Sequence, residues 1–170
     1  MGLKLSKEVC SKNVNLTLYK SMVGSLMYLT ATRPDIMHVV SLISRFKATE
    51  THWKASKRLL RYVNGTKGFG ILYSSSESFI LTRYTDSDWD GSVDDQKSTS
   101  GYVFHLGSGA VSWASKKKPI VALSTAEAKY VATIVATCQA IWMRMMLRYL
   151  CHEKDNGATI YCGKSSAIAS

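Results

Sequence analysis

An acidic cluster at the end of an apolar run stands out from the rest of this basic sequence: Tyr84-Thr85-Asp86-Ser87-Asp88-Trp89-Asp90-Gly91. If residues 79–86 form a strand, alternate side chains share a face, so Asp86 lies with Asp88 if the extended backbone continues. Mg²⁺ takes oxygen ligands and often binds one or two carboxylates together with substrate phosphates. The cluster therefore predicts a metal site at Asp86 and Asp88. A solvated acidic turn after a strand is the alternative.

The composition is that of a folded, basic protein. The 170 residues are 46% apolar, enough for one full hydrophobic core, and the formal net charge of +10 predicts a polyanionic partner. We expect nucleic acid and no membrane, because no apolar run approaches the ~20 residues that cross a bilayer. Four scattered cysteines and the lack of a signal peptide indicate an intracellular protein, cytoplasmic or nuclear and not secreted.

Hydrophobic spacing divides the chain into a polar tail (1–15), a helical segment (16–68) and a region of strands with one long helix (69–170). Helices are predicted at 18–31, 34–46, 52–63 and 124–149, and strands at 69–74, 79–86, 99–106, 110–116 and 159–162. Residues 165–170 read as the start of another helix. The residues of the long helix that we expect to face the sheet are Ile134, Cys138, Ile141, Met145 and Leu150.

Basic residues form two candidate nucleic-acid-binding segments. On the predicted third helix they recur at i, i+3, i+4 and i+7, a spacing that places them on one face able to follow a phosphate backbone. A solvated outer face of a core helix is an equally good interpretation of that spacing. The second segment is a basic loop after the last hairpin strand. The two sets are Lys54, Lys57, Arg58 and Arg61, and Lys116, Lys117 and Lys118.

The order of predicted elements, with an acidic end on the first strand of the second region, is that of the ribonuclease H fold. This is an α/β (α+β) class with a mixed sheet and flanking helices, preceded here by a small helical segment. Beyond topology, the chain closely resembles the C-terminal part of the Pol polyprotein of copia-type LTR retrotransposons. The matching motifs are Leu18–Ile36, His52–Tyr62, Tyr84–Gly91, Lys97–Tyr102, Ser112–Lys117 and Ile160–Cys162.

The resemblance implies that residues 16–68 correspond to the end of a reverse transcriptase, and residues 69–170 to a ribonuclease H domain truncated at its C-terminus. It implies the rest of the Pol polyprotein as an ancestral partner. The implied reaction is hydrolysis of the RNA strand of an RNA/DNA hybrid, with two Mg²⁺ ions held by four acidic residues.

The sequence departs from the family pattern at the implied metal ligands. Asp86 matches the first catalytic aspartate, but the family's T-E-A-E-Y motif reads Ala126-Glu127-Ala128-Lys129-Tyr130, which puts Lys129 at the second position. Gly163 replaces the third acidic residue, and the fourth would lie beyond Ser170. Glu127 points roughly 200° away from Lys129 around the helix, since successive residues turn by ~100°. We therefore predict very weak or no Mg²⁺ binding.

Three hypotheses follow. The first is a decayed retrotransposon fragment with a ribonuclease H-like fold and no efficient nuclease activity. The second is residual Mg²⁺-dependent cleavage by Asp86, Asp88 and Glu127. The third is a non-catalytic nucleic-acid-binding module that uses the two basic segments. A truncated domain would also leave apolar surface of the long helix uncovered, which predicts marginal stability or association.

Overall fold

A computed structural model describes residues 14–75, 80–89, 91–92, 94–150 and 160–162. They belong to two compact units, one comprising Met1–Gly70 with Ser92–Asp94 and the other Ile71–Gly91 with Asp95–Ser170. The elements in chain order are α1 (Leu16–Leu29), a 3₁₀ turn (Pro34–Ile36), α2 (Met37–Ile43), α3 (Glu50–Gly65), β1 (Leu81–Ser87), β2 (Thr99–Leu106), β3 (Gly109–Lys117), α4 (Thr125–Tyr149) and β4 (Ile160–Cys162). The predicted mixed α/β class is confirmed and is compatible with a ribonuclease H-like fold.

The first unit packs its helices around one apolar core. Asn15 caps α1, because its side chain accepts a hydrogen bond from the Leu18 amide at 3.1 Å. The Tyr19 hydroxyl enters the core and donates to the carbonyl of Ile43 at 2.8 Å, so this buried polar group is satisfied. The core residues are Tyr19, Val23, Leu26, Ile36, Val40, Ile43, Ala48 and Leu59.

Polar contacts fix both ends of α3. At the start, the Thr49 side chain accepts from the His52 amide, and His52 itself is buried and stacked on Phe46 at 4.6 Å. At the other end, the buried Arg33 guanidinium donates to the Thr66 carbonyl at 3.1 Å and to its hydroxyl at 2.8 Å. Arg33 also binds both carboxylate oxygens of Asp35, at 2.9 and 2.7 Å.

The second unit contains a four-stranded sheet in the order β3-β2-β1-β4. Its antiparallel pairs are β1 with β2 and β2 with β3, whereas β4 lies parallel to β1 with Tyr84 opposite Tyr161. The predicted hairpin is confirmed, and Gly107 occupies its turn with a φ of 62°. Burial alternates along β1, so one face of the strand is covered and Tyr84 and Asp86 are exposed.

Helix α4 covers the sheet with its smallest side chains. The buried positions are Ala128, Ala132, Ala136 and Ala140, and Ala140 packs with Leu81 and Phe104 of the sheet. The prediction that Ile134, Cys138, Ile141, Met145 and Leu150 face the sheet is wrong, because all five are exposed. Besides the alanines, the partly buried Met143 and Leu147 of α4 pack against this core, to which the sheet supplies the large side chains of Leu81 and Phe104.

Two further expectations are corrected. Residues 69–74 form no strand; instead the Tyr73 hydroxyl donates to the Ala110 carbonyl at 2.7 Å, and the Ser74 amide to Ser108 Oγ at 2.9 Å.

Contrary to the expectation of no apolar run near 20 residues, α4 is long and apolar enough to cross a membrane, by length and composition only. Core helices of soluble proteins pass the same test. The helix predicted at 165–170 lies outside the described residues.

Candidate active site

An ion pair joins the end of β1 to the first turns of α4. The Lys129 ammonium donates to Asp86 Oδ1 at 2.9 Å, and the Ser87 amide donates to the same oxygen, also at 2.9 Å. The Lys129 side chain is only 11% exposed, whereas that of Asp86 is 76% exposed. The lysine therefore reaches from within the structure to the one predicted metal ligand that matches the family pattern.

The ion pair keeps Asp86 ionised. Partial burial raises the pKa of this carboxyl, but the Lys129 hydrogen bond, the Ser87 amide and the Lys129 charge together outweigh burial and lower the pKa below its ordinary value. At neutral pH the carboxylate thus carries its charge, and the adjacent ammonium neutralises it. A divalent cation approaching Asp86 would meet a carboxylate already paired with a positive group.

Glu127, the other candidate catalytic residue, makes two hydrogen bonds at the start of α4. Ser124 Oγ accepts from the Glu127 amide at 3.1 Å, and Glu127 Oε2 accepts from the Leu123 amide at 2.6 Å. The Ser124 bond satisfies a backbone donor that a helix start leaves without a partner, and the Glu127 bond holds the residue before the N-cap, one position earlier than in a capping box. The sequence Ser124-Thr125-Ala126-Glu127 carried this S-x-x-E signal. Helix initiation therefore accounts for Glu127.

Asp88 connects the end of β1 to the start of β2. Its carboxylate accepts from the Thr99 amide through Oδ1, while its own amide donates to the Thr99 carbonyl at 3.1 Å. Gly91 lies so close that a Cβ there would collide with the Asp88 carboxylate. The absence of a side chain at Gly91 thus leaves room for the Asp88 carboxylate in this position.

The structure does not bring the candidate acidic residues together as a metal-binding group. Across the described part of the chain, no three His, Cys, Asp or Glu side chains are grouped so as to hold a metal ion. The carboxylates of Asp86, Asp88 and Glu127 are bound respectively to an ammonium and to two backbone amides. Gly163, at the third implied position, lies outside the described residues.

The basic stripe on α3 is exposed along its length. All four side chains, Lys54, Lys57, Arg58 and Arg61, lie at the surface. Lys54 pairs with Glu50 at 2.7 Å in an i, i+4 contact, and the Lys57 ammonium lies 5.0 Å from the centre of the Trp53 ring. Arg58 and Arg61 complete a face of cations in the first unit.

The three lysines that end β3 and open the next loop are in different environments. Lys116 is exposed, and Lys117 pairs with Asp95 at 2.5 Å. Lys118 is buried, and desolvation lowers the pKa of its amine. Its Nζ has no hydrogen-bond partner in the structure as described. Of the predicted set, Lys118 is therefore the one residue whose side chain is not positioned for a surface contact.

Sequence reasoning missed an aromatic group on the exposed face of the sheet. The rings of Tyr84 and Tyr161 stack with centroids 5.2 Å apart, and His105 meets Tyr84 edge-on at 5.7 Å. Both tyrosines are about half exposed. The alternation along β1 placed Tyr84 on this face, but its partner depends on the parallel register of β4, which no local pattern reveals.

Comparison with known proteins identifies transposon relatives. The chain is 43% identical to the retrovirus-related Pol polyprotein from transposon TNT 1-94 of Nicotiana tabacum, over 98% of this chain and 13% of that protein. It is 39% identical to the corresponding polyprotein from transposon RE1 of Arabidopsis thaliana, over 96% of this chain and 11% of the relative. It therefore spans about an eighth or less of the length of these polyproteins.

A third relative is much shorter. The chain is 44% identical to secreted RxLR effector protein 161 of Plasmopara viticola, over 76% of this chain and 94% of that protein. No protein-family model matches the chain, and no solved structure matches it. The identity is shared with transposon polyproteins over nearly the whole length of the chain, so its homologues are retrovirus-related Pol polyproteins from transposons, of the copia type.

Proposed function

We propose that residues 69–170 are the ribonuclease H-like region of a copia-type Pol sequence, and that efficient hydrolysis of RNA/DNA hybrids has been lost. Residues 16–68 would then correspond to the end of the reverse transcriptase. The observation that carries the proposal is the 2.9 Å contact between Lys129 and Asp86. It places a fixed positive charge beside the carboxylate that, by the family pattern, is a metal ligand.

The residues present do not fit a two-Mg²⁺ site. Such a site needs several carboxylates facing two closely spaced divalent ions. Here Asp86 binds an ammonium, Asp88 binds the Thr99 amide, and Glu127 binds the Leu123 amide. Each of the three carboxylates thus already has a hydrogen-bonding partner within the chain, so no hydrolytic step is assigned to these residues.

A cleavage assay tests the proposed loss. The purified chain would be incubated with an end-labelled RNA/DNA hybrid in Mg²⁺, and separately in Mn²⁺, beside an Asp86→Asn control. We expect no cleavage above that of the control, because neither preparation has a metal-binding carboxylate set. Cleavage by the parent chain that disappears in Asp86→Asn would contradict the proposal and establish the residual-nuclease hypothesis.

The exposed stripe on α3 supports a second function, binding of nucleic acid without cleavage. Residues 1–70 contain twelve Lys and Arg against three Asp and Glu, so most of the net positive charge of the chain lies in the part of the sequence that includes this helix. A row of cations at helical spacing can contact successive phosphates without reading sequence. The partner that we propose is nucleic acid, in an intracellular location.

Salt dependence distinguishes this function from a merely solvated helix face. Anisotropy of a labelled RNA/DNA hybrid would be measured from about 50 to 200 mM salt for the parent chain and for the combined change of Lys54, Lys57, Arg58 and Arg61 to Gln. We expect a weaker affinity and a flatter salt slope in the variant, since each lost phosphate contact removes about 0.7 to 0.9 from the slope. A matched control changes Lys7, Lys12, Lys20 and Lys67 to Gln. If both variants lost the same affinity and salt dependence, the four stripe residues would contribute only through the net charge of the chain, which would contradict the proposal.

The short relative indicates whether this region can occur as a protein outside a long polyprotein. A Plasmopara viticola protein is matched over 94% of its length, so a protein can consist almost entirely of this region. Its name describes it as a secreted effector, which differs from the location that we propose here. The likeness supports a region that is stable outside a long polyprotein.

A further inference from the structure

We propose that the outer face of α4 is a self-association surface, on which a second copy of this chain packs with its own α4 running antiparallel. This inference does not depend on nucleic-acid binding or on the loss of hydrolysis. It rests on the side chains that α4 leaves exposed, on their spacing, and on the charges beside them.

The outer face of α4 carries a stripe of large apolar side chains. At ~100° per residue, this stripe lies opposite the buried alanines that pack on the sheet. An isolated apolar side chain at the surface is ordinary, but a continuous row along five turns of helix marks an interaction surface. Its members and exposed fractions are Tyr130 (54%), Ile134 (46%), Ile141 (57%), Met145 (51%) and Tyr149 (78%), with Cys138 also exposed.

The apolar residues of the stripe have the same spacing along α4 whether they are counted from its N-terminal or its C-terminal end. Positions 130, 134 and 138 are mirrored by 149, 145 and 141 about a point midway between Cys138 and Ile141. In an antiparallel pair related by a two-fold axis, Tyr130 meets Tyr149, Ile134 meets Met145, and Cys138 meets Ile141 of the other copy. A two-fold interface requires such a self-complementary patch. The alternating steps of four and three residues between 134 and 145 are those of coiled-coil seams.

The charges beside the stripe favour the antiparallel direction. Arg144 and Arg148 lie near its C-terminal end, within α4. In a parallel pair, each arginine would lie beside the same arginine of the other copy, and the two charges would repel. In an antiparallel pair centred on the stripe, the two copies of Arg148 are about 25 Å apart along the axis, given a rise of ~1.5 Å per residue. That separation exceeds the Debye length of ~8–10 Å, so their repulsion is screened.

The exposed area is sufficient for a specific dimer. Together with Trp142, which is 55% exposed beside the stripe, the face offers on the order of 700 Å² per copy, given roughly 150–250 Å² for each large side chain. Two copies would bury about 1,400 Å², within the ~1,200–2,000 Å² of specific interfaces. An area of this size, with a self-complementary pattern, identifies a second copy as the occupant.

The first test measures the mass of the chain by sedimentation velocity from about 1 to 300 µM. We expect a concentration-dependent shift from monomer to dimer, and Ile141→Glu should weaken the dimer at least about ten-fold, because a central apolar anchor is replaced by a charge. Leu72→Glu makes the same change at a residue that is 84% exposed outside α4 and should leave the dimer intact. Circular dichroism of both variants would verify that they fold.

Thiol cross-linking tests the direction. A short bismaleimide would be added to a chain in which Cys10, Cys151 and Cys162 are changed to Ser, leaving Cys138. Antiparallel pairing puts the two Cys138 residues about 4–5 Å apart along the axis, so a cross-linked dimer is expected. In a Cys138→Ser background, the thiol introduced by Tyr149→Cys should fail to cross-link, because its copies lie about 28 Å apart.

Three outcomes would overturn the proposal. One is a monomer throughout the concentration range, and another is equal weakening by Ile141→Glu and Leu72→Glu. Cross-linking at both thiol positions would refute the antiparallel direction. Co-flotation of a monomeric chain with phosphatidylserine vesicles, abolished by Ile141→Glu, would instead assign the stripe to a lipid surface.

Discussion

Replacing Lys129 by Glu should convert the ion pair at the end of β1 into a weak metal site. The ammonium now lies 2.9 Å from Asp86 Oδ1, so a Mg²⁺ bound to that carboxylate would lie within about 4 Å of a positive charge. Two unit charges at 4 Å interact by ~1 kcal/mol in bulk water, and the divalent ion doubles this to ~2 kcal/mol. We use the water value as a lower bound, because the Asp86 side chain is 76% exposed but that of Lys129 only 11%.

The size of the expected effect follows from these charges. Lys129→Gln removes the repulsion and should tighten Mg²⁺ binding about 30-fold, since ~1.4 kcal/mol is a factor of ten. Lys129→Glu reverses the sign of this interaction, a change of ~4 kcal/mol, and should tighten Mg²⁺ binding nearly 10³-fold relative to the parent chain. Isothermal titration measures the affinity directly, and a rise in Tm with added Mg²⁺ gives an independent measure, because a ligand that binds the folded state stabilises it.

Two controls separate the site from a general charge effect. Lys20→Glu makes the same change in net charge at an exposed position on α1 and should bind no Mg²⁺. Lys129→Glu combined with Asp86→Asn should lose the gained affinity. The reasoning is refuted if Lys129→Glu binds no more tightly than Lys20→Glu, or if the parent chain already binds Mg²⁺ through Asp86.

The remaining predictions concern stability. Ala136→Leu should lower the free energy of unfolding by roughly 1–3 kcal/mol, because Ala136 is fully buried on the inner face of α4, whereas Val135→Leu on the exposed side should have little effect; urea unfolding compares them. Ser124→Ala should cost about 1 kcal/mol by removing the cap of α4, and an unchanged Tm would contradict that role. The Arg33 hydrogen bond lowers the pKa of Asp35 despite the opposing effect of partial burial. Stability from this pair is therefore present above about pH 4 and lost as the pH falls through the lower folded-state pKa, so acid should destabilise the parent chain more than Asp35→Asn in thermal melts.

The parts of the fold set by local patterns could be predicted from the sequence. Helices α3 and α4 form close to the predicted ranges 52–63 and 124–149, and β2 and β3 form a hairpin close to the predicted strands 99–106 and 110–116. These features depend on a few neighbouring residues, whose capping and turn preferences act locally. The burial of α4 was predicted wrongly because two stripes, one of alanine and one of larger residues, both recur at helical spacing. Which stripe faces the sheet depends on the space that Phe104 and Leu81 leave.

The candidate site shows the same division. Register with the family motif placed Lys129 at an acidic position, and the structure shows what that lysine contacts. The bonds of Asp88 to Thr99 and of Glu127 to Leu123 were not predicted, although the S-x-x-E pattern signalled the second. A carboxylate in a sequence is equally suited to a metal, an ammonium or a backbone amide, and only the fold decides which group comes within reach.

The parallel pairing of β4 with β1 has a consequence for the order of folding. Arg83 pairs with Ile160, so this edge of the sheet joins segments far apart in the chain, through three residue pairs. The β1–β2–β3 meander and α4 connect segments that are closer in sequence. Pairing segments that are far apart in sequence costs more chain entropy before the contacts stabilise it. We therefore expect β4 to dock last and to open first, so that its amides exchange with solvent well before those of β2. Each such opening bares the backbone edge of β1, which is a template for strand addition by another chain.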